Sequence, residues 1–167
     1  MRYNELTFQG RNAVLEAFRS GKTIDKLFIL DGCQDGPIKS IVREAKKTDA
    51  IINYVDKERL DRLAGTGHHQ GVVAIGAAYE YAEVEDILAA AKEKGEDPFI
   101  FILDEIEDPH NLGAIIRTAN LAGAHGVIIP KRRAVGLTAT VAKTSAGAIN
   151  YTPVAKFTNI SQTIEEL

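Results

Sequence analysis

The stretch Leu103–Gly123, LDEIEDPHNLGAIIRTANLAG, decides how this 167-residue chain is read. It grows out of the run Phe99–Asp104 (FIFILD), which has the unbroken hydrophobicity of a strand buried on both faces. The polar loop EIEDPH follows. Leu112–Leu121 then reads as a helix, with Ile115, Ile116 and Ala119 facing inward and Gly123 past its end. Strand, loop and helix in this order make one α/β unit, and in an open α/β sheet the ligand crevice lies at the carboxyl ends of the strands, where this loop falls. Asn111 stands at the expected start of the helix, where it reads equally as a plain N-cap and as an amide offered to a ligand. Gly113 leaves room in the first turn for close backbone approach. Free N–H groups and the helix dipole would favour an anion there. Arg117, one to two turns in, is either a solvated charge or a guanidinium fork for phosphate.

Working outward, the same alternation recurs. Downstream, Gly126–Pro130 reads as a strand, Leu137–Ala146 as a helix, Tyr151–Val154 as a strand, and Asn159 with Gln162 as a capping box opening a further helix. Upstream, strands at Lys26–Leu30, Ile51–Val55 and Val72–Ala77 alternate with helices at Asn12–Ser20, Ile38–Lys47 and from Asp56 to Leu63. This pattern predicts largely parallel, helix-flanked α/β sheets. Ala78–Glu83 carries no period and reads as a linker into a helix, Val84–Lys94. The expected organisation is a first domain over 1–78, linker and helix over 79–98, and a second α/β domain over 99–167 that stops before a doubly wound sheet would normally end, as in a truncation, a fragment or a partner-dependent domain.

Composition narrows the function. With 45% hydrophobic and 26% charged residues the chain is an ordinary globular protein. A single cysteine, Cys33, excludes a disulfide scaffold and reads as an inert thiol. The polar N-terminus MRYNELTFQG lacks a signal-peptide core, and no apolar run approaches the ~18 residues of a membrane span, so a cytoplasmic location is expected. Net charge is −3, yet no Asp or Glu occurs from Pro109 to Ile164, a segment with Arg117, Lys131, Arg132, Arg133, Lys143 and Lys156. The remainder therefore carries −9. Such asymmetry is the footprint of a region that meets a polyanion. His68 and His69 lie adjacent on a glycine-rich loop without acids or Cys at ligand spacing, so metal binding is not expected, although the loop is placed to touch a substrate. The chain contains no GxGxxG, Walker loop or GxSxG elbow.

DEIEDPHNLGAIIRTANLAGAHGVIIP closely resembles the first signature motif of the SpoU/TrmH family of RNA ribose 2′-O-methyltransferases, enzymes of the knotted SPOUT class. GRNAVLEAF (10–18) and HHQGVVA (68–74) resemble the opening and closing signatures of that family's substrate-binding domain, which has the fold of small RNA-binding ribosomal proteins. KTSAGAINYTPV (143–154) matches the pattern that follows the first motif. The nearest likeness is to the RlmB-type branch, which methylates a guanosine ribose in 23S rRNA.

The resemblance implies a ribosomal-protein-like α/β RNA-binding domain followed by the N-terminal part of a parallel SPOUT domain. It implies S-adenosylmethionine as methyl donor, no metal, RNA as partner (rRNA ahead of tRNA), no membrane, and a homodimer through the second domain. Asn111 and Arg117 fall on the motif-one catalytic Asn and Arg. Arg11, Asn12, His69, Gln70, Lys131, Arg132, Arg133 and Lys143 become the expected RNA-binding residues. The second and third motifs, which form most of the donor pocket, have no match within these residues, so donor-binding residues are expected beyond Leu167 and the chain alone is expected neither to bind the donor well nor to turn over. The competing readings are a non-catalytic RNA-binding or ribosome-assembly module and a small-molecule α/β enzyme.

Overall fold

In a computed structural model describing residues 6–167, the chain divides into two compact units, Met1–Ala78 and Tyr79–Leu167. The first contains β1 (Leu6–Gln9), α1 (Arg11–Arg19), β2 (Ile24–Leu30), α2 (Gly36–Ala45), β3 (Ile51–Val55), α3 (Lys57–Ala64) and β4 (Val72–Gly76). Its sheet runs β1-β4-β2-β3. Only β2 and β3 pair in parallel, across the α2 crossover; β4 lies antiparallel to both β1 and β2. The expectation of a largely parallel sheet is corrected here, because hydrophobic period identifies a strand without giving its direction. β1 is a further correction: LTFQ alternates apolar and polar residues, but over only four half-exposed positions.

Period-2 alternation splits the strands between two helix layers. Leu27, Ile29, Val72 and Ala74 pack against Val14, Phe18, Ile38 and Ile41 of α1 and α2. Phe28 and Val73 point the other way, onto Leu60 of α3. Each fully buried aliphatic side chain contributes about 1.5–3 kcal/mol of burial free energy. Asp35 caps α2 by accepting the Ile38 amide, Asp56 caps α3 through the Arg59 amide at 2.8 Å, and Gly65 ends α3 in the left-handed region at φ 65°.

The second unit contains α4 (Val84–Lys94), β5 (Ile100–Ile102), α5 (Pro109–Leu121), β6 (Gly126–Pro130), α6 (Ala139–Thr144), a 3-10 turn at Ala148–Asn150, β7 (Val154–Phe157) and α7 (Ile160–Glu166). Its sheet is parallel in the order β5-β6-β7. Central β6 (GVIIP) is buried along its whole length. Ile128 faces Ile87 of α4, while Val127 and Ile129 face Leu112 and Ile116 of α5 together with Leu137 and Val141. β5 is only half-buried, contrary to its sequence, because it is an edge strand. The Leu137–Ala146 helix is shorter than its pattern, and the chain turns where Ala146 and Gly147 take φ 52° and 88°. The last strand lies three residues later than expected.

The segment read as a linker is structured. Tyr79 and Tyr81 pack on the α5 side of the sheet, the Tyr81 hydroxyl accepts the Leu137 amide at 2.9 Å, and Ala82 bridges to Ala155 in parallel. Asn159 accepts the Gln162 amide, but the Gln162 side chain donates to Glu166 instead of returning, so only half of the expected capping box forms.

Candidate nucleic-acid interface

The carboxyl edge of the parallel sheet is built by the loops after β5 and β6. The Val135 amide donates to the Ile106 carbonyl at 2.7 Å, and Arg133 Nη1 donates to Glu105 at 2.7 Å. That pair is exposed on both sides, and the Glu105 hydrogen bond holds the Arg133 guanidinium above its ordinary pKa. Lys131 continues β6 pairing through its amide to the Phe157 carbonyl. Arg132 is exposed between them.

α5 begins at this edge, and here the local expectation is corrected. Asp108, not Asn111, is the N-cap: its carboxylate accepts the His110 amide at 2.7 Å, and Pro109 occupies the first turn where no amide hydrogen is needed. With Asp104, Glu105 and Glu107 in the same loop, the helix start is already supplied with negative charge and is no vacant anion site. Asn111 lies inside the first turn with its side chain exposed.

Gly113 is corrected as well. A Cβ there would lie 2.6 Å from Thr144 Cβ and 3.0 Å from both the Ser145 nitrogen and the Val141 carbonyl oxygen. Its missing side chain admits α6 to α5, not a ligand. The same packing brings Thr144 Oγ1 to 3.4 Å from His110 Nδ1, so Lys143, at the end of α6, and Asn111, at the start of α5, share one helix junction.

Arg117 lies one turn beyond Gly113 on the same stripe, and Asn111 and Arg117 stand three residues to either side of half-buried Ala114. The Arg117 side chain is exposed and takes no hydrogen-bond or ion-pair partner among the described residues. Arg132 and Lys143 are likewise exposed and unpaired there, whereas Lys156 lies with Nζ 3.7 Å from the centroid of the Tyr81 ring.

In the first unit Arg11 and Gln70 meet. Gln70 Oε1 accepts the Arg11 amide at 3.0 Å and the Gln70 carbonyl accepts Arg11 Nε at 3.2 Å, while Arg11 Nη2 pairs with Asp35. Asn12 is exposed beside them. His69 does not belong to this surface. It is 4% exposed; Nδ1 accepts the Gly71 amide at 3.0 Å, which leaves Nε2 to donate to Asp61 at 3.0 Å. Both ring nitrogens are committed to holding the loop. No group of three or more His, Cys, Asp or Glu side chains able to hold a metal exists among the described residues. No helix there is long and apolar enough to cross a membrane.

Arg117, Arg132 and Lys143 are thus exposed and unpaired among the described residues of a parallel α/β unit. Residues 9–82 match the family model for RNA 2′-O ribose methyltransferase substrate binding, and residues 98–167 match that for the SpoU rRNA methylase family. The chain belongs to the SpoU/TrmH family. It is 54% identical, over 95% of its length, to the "Putative TrmH family tRNA/rRNA methyltransferase YacO" of Bacillus subtilis (strain 168), covering 63% of that protein. A similarly named protein of Staphylococcus haemolyticus (strain JCSC1435) is 48% identical over 98% of the chain and is covered to 65%. The chain thus spans under two thirds of the length of these curated relatives. Among solved structures, it aligns over 99% of its length with 60% of the SpoU methyltransferase AviRb from Streptomyces viridochromogenes in complex with the cofactor AdoMet, at 19% identity and TM-score 0.45.

Proposed function

We propose that this chain supplies the RNA-facing share of an RNA 2′-O-ribose methyltransferase. The reaction transfers a methyl group from S-adenosylmethionine to a ribose 2′-hydroxyl, with a guanosine in 23S rRNA as the target. The observation that carries the proposal is Arg117: a permanently charged guanidinium, exposed and unpaired among the described residues, on a helix whose segment is free of acids from Pro109 to Ile164. A 2′-hydroxyl is a weak nucleophile until its proton leaves or its developing charge is stabilised. Arg117 offers the second, by holding the phosphate next to the target ribose and lowering the cost of negative charge on O2′. Asn111 offers an amide to the same sugar across Ala114, and Lys143, Arg132 and Lys131 extend the phosphate-binding surface.

The proposal places most of the donor pocket outside these residues, because the family's second and third motifs have no match among them. The donor's sulfonium is cationic, and the α2–β3 groove of the first unit is lined by Lys39, Arg43 and Lys46. The cleft of about 350 Å³ between α4, β7 and α7 is lined mainly by polar side chains, among them Glu83, Asn159, Gln162 and Glu166. No step is therefore routed through donor-binding residues of this chain. The proposal includes a homodimer and a cytoplasmic location, where ribosomal RNA is available. The test is primer-extension mapping of 2′-O-methyl stops in 23S rRNA from cells with and without the gene. Loss of one guanosine stop on deletion supports the proposal; an unchanged methylation map overturns it.

A further inference from the structure

In the first unit a groove of about 410 Å³ runs between α2 and the edge strand β3. Its floor is Ile38 and Val42, and Lys39 and Arg43 of α2 and Lys46, the residue capping its C-terminus, rise from it at i, i+4 and i+7. Tyr54 of β3 forms the opposite wall with 56% of its surface exposed. No acidic side chain lines the groove, although the chain as a whole is acidic. Glu44 on the same helix is neutralised by Lys47, whose Nζ donates to both carboxylate oxygens at 2.8 and 3.0 Å. The three groove cations take no hydrogen-bond or ion-pair partner through their side chains among the described residues.

The groove is also continuous with the Arg11–Gln70 cluster. Its upper end is the loop of Cys33 and Gln34; Asp35, next in sequence, pairs with Arg11, and a Cβ on Gly71 would lie 3.3 Å from Cys33 Sγ.

We propose that this groove binds a single-stranded segment of RNA, with Lys39, Arg43 and Lys46 on its phosphates and a base stacked on Tyr54. The inference rests on the RNA reading given above and extends it to residues that no family motif in the sequence marks. A cationic groove tracking the backbone beside an exposed aromatic platform is how unpaired strands are held without sequence readout. An apolar floor flanked by cations suits flat base faces with phosphates along the rim. An acidic peptide would present amides to that floor and leave them unsatisfied. Duplex RNA offers no free base face to Tyr54.

The test is fluorescence anisotropy with the 167-residue chain and two labelled probes, a single-stranded 12-mer RNA and a blunt duplex of equal length. Wild type binds the single strand in preference to the duplex. The combined K39A, R43A, K46A variant loses at least tenfold in single-strand affinity, and its slope of log affinity against log salt falls by about 2, as expected for three phosphate contacts on a single strand. Y54A loses about tenfold with its salt slope unchanged, and Y54F keeps wild-type affinity because the ring face is retained. Circular dichroism confirms that each variant folds. Wild-type affinity and slope in the triple variant overturn the groove while leaving the RNA reading intact, provided wild type binds. Failure of wild type to bind either probe overturns both. Polyglutamate competing as well as the RNA strand overturns the choice of partner.

Discussion

His125 and Phe99 are joined in both directions. The His125 amide donates to the Phe99 carbonyl at 2.8 Å, and the Phe99 amide returns a hydrogen to His125 Nδ1 at 3.0 Å. Because Nδ1 accepts, the ring proton is on Nε2, which donates to Glu96 at 3.0 Å. This repeats the arrangement of His69 with Gly71 and Asp61. His125→Phe would leave the Phe99 amide without its acceptor, so urea unfolding should show a loss of about 1–3 kcal/mol. Glu96→Gln, at the exposed end, should cost less than half as much. Equal losses in the two variants would refute this account of the histidine.

Gly113 and Gly126 are both too crowded for a side chain, for different reasons. At Gly126 a Cβ meets only the Ile87 side chain, as close as 2.5 Å, whereas at Gly113 two of the three contacts are backbone atoms. Both G113A and G126A should be destabilised by about 1–3 kcal/mol. Adding I87V should recover part of the loss in G126A, while T144S should recover little in G113A. Thermal melts of the four proteins check this, and full recovery of G113A by T144S would refute it.

Arg117→Ala should abolish most methyl transfer in the complete enzyme while leaving the melting temperature within a few degrees, because the side chain is exposed and alanine favours helix. Arg117→Lys should not restore the rate, since an ammonium lacks the planar fork. Rates measured under single-turnover conditions on ribosomal RNA decide; wild-type turnover in R117A removes the residue from the reaction.

Asp108→Ala should destabilise the second unit by about 0.5–2 kcal/mol through loss of its helix cap, and Asp108→Asn should retain most of that stability. Denaturant midpoints test the order. If Asn111→Ala proved the more damaging change, Asn111 would be the cap after all.

Calorimetric titration of the 167-residue chain with S-adenosylmethionine should give no saturable heat, because the family's second and third motifs, which form most of the donor pocket, have no match among these residues. Micromolar binding would show that these residues contain a donor site of their own.

Much of the architecture was readable, and the failures are instructive. Buried β6 and the helices around it followed from apolar spacing. β5 misled because FIFILD looks central whichever place the strand takes in its sheet, and edge position is a property of topology. Asp108 was overlooked because Asn111 has an equally good capping side chain; Pro109, fit for the first turn, was the signal that favoured Asp108. The bracing role of His69 was not legible, because a motif marks a residue as needed without saying whether it touches the ligand or braces the loop. Cations drawn from one helix face and an aromatic from a later strand, as in the α2–β3 groove, come together only in three dimensions.

The bridge from Ala82 to β7 has a bearing on how the protein tolerates change. The Ala82 amide donates to the Val154 carbonyl at 2.9 Å, so a short stretch of irregular chain covers part of an otherwise open sheet margin. Uncovered margins recruit strands from other molecules. Insertions just before α4, where composition suggests harmless slack, would therefore threaten solubility before they threatened the chemistry.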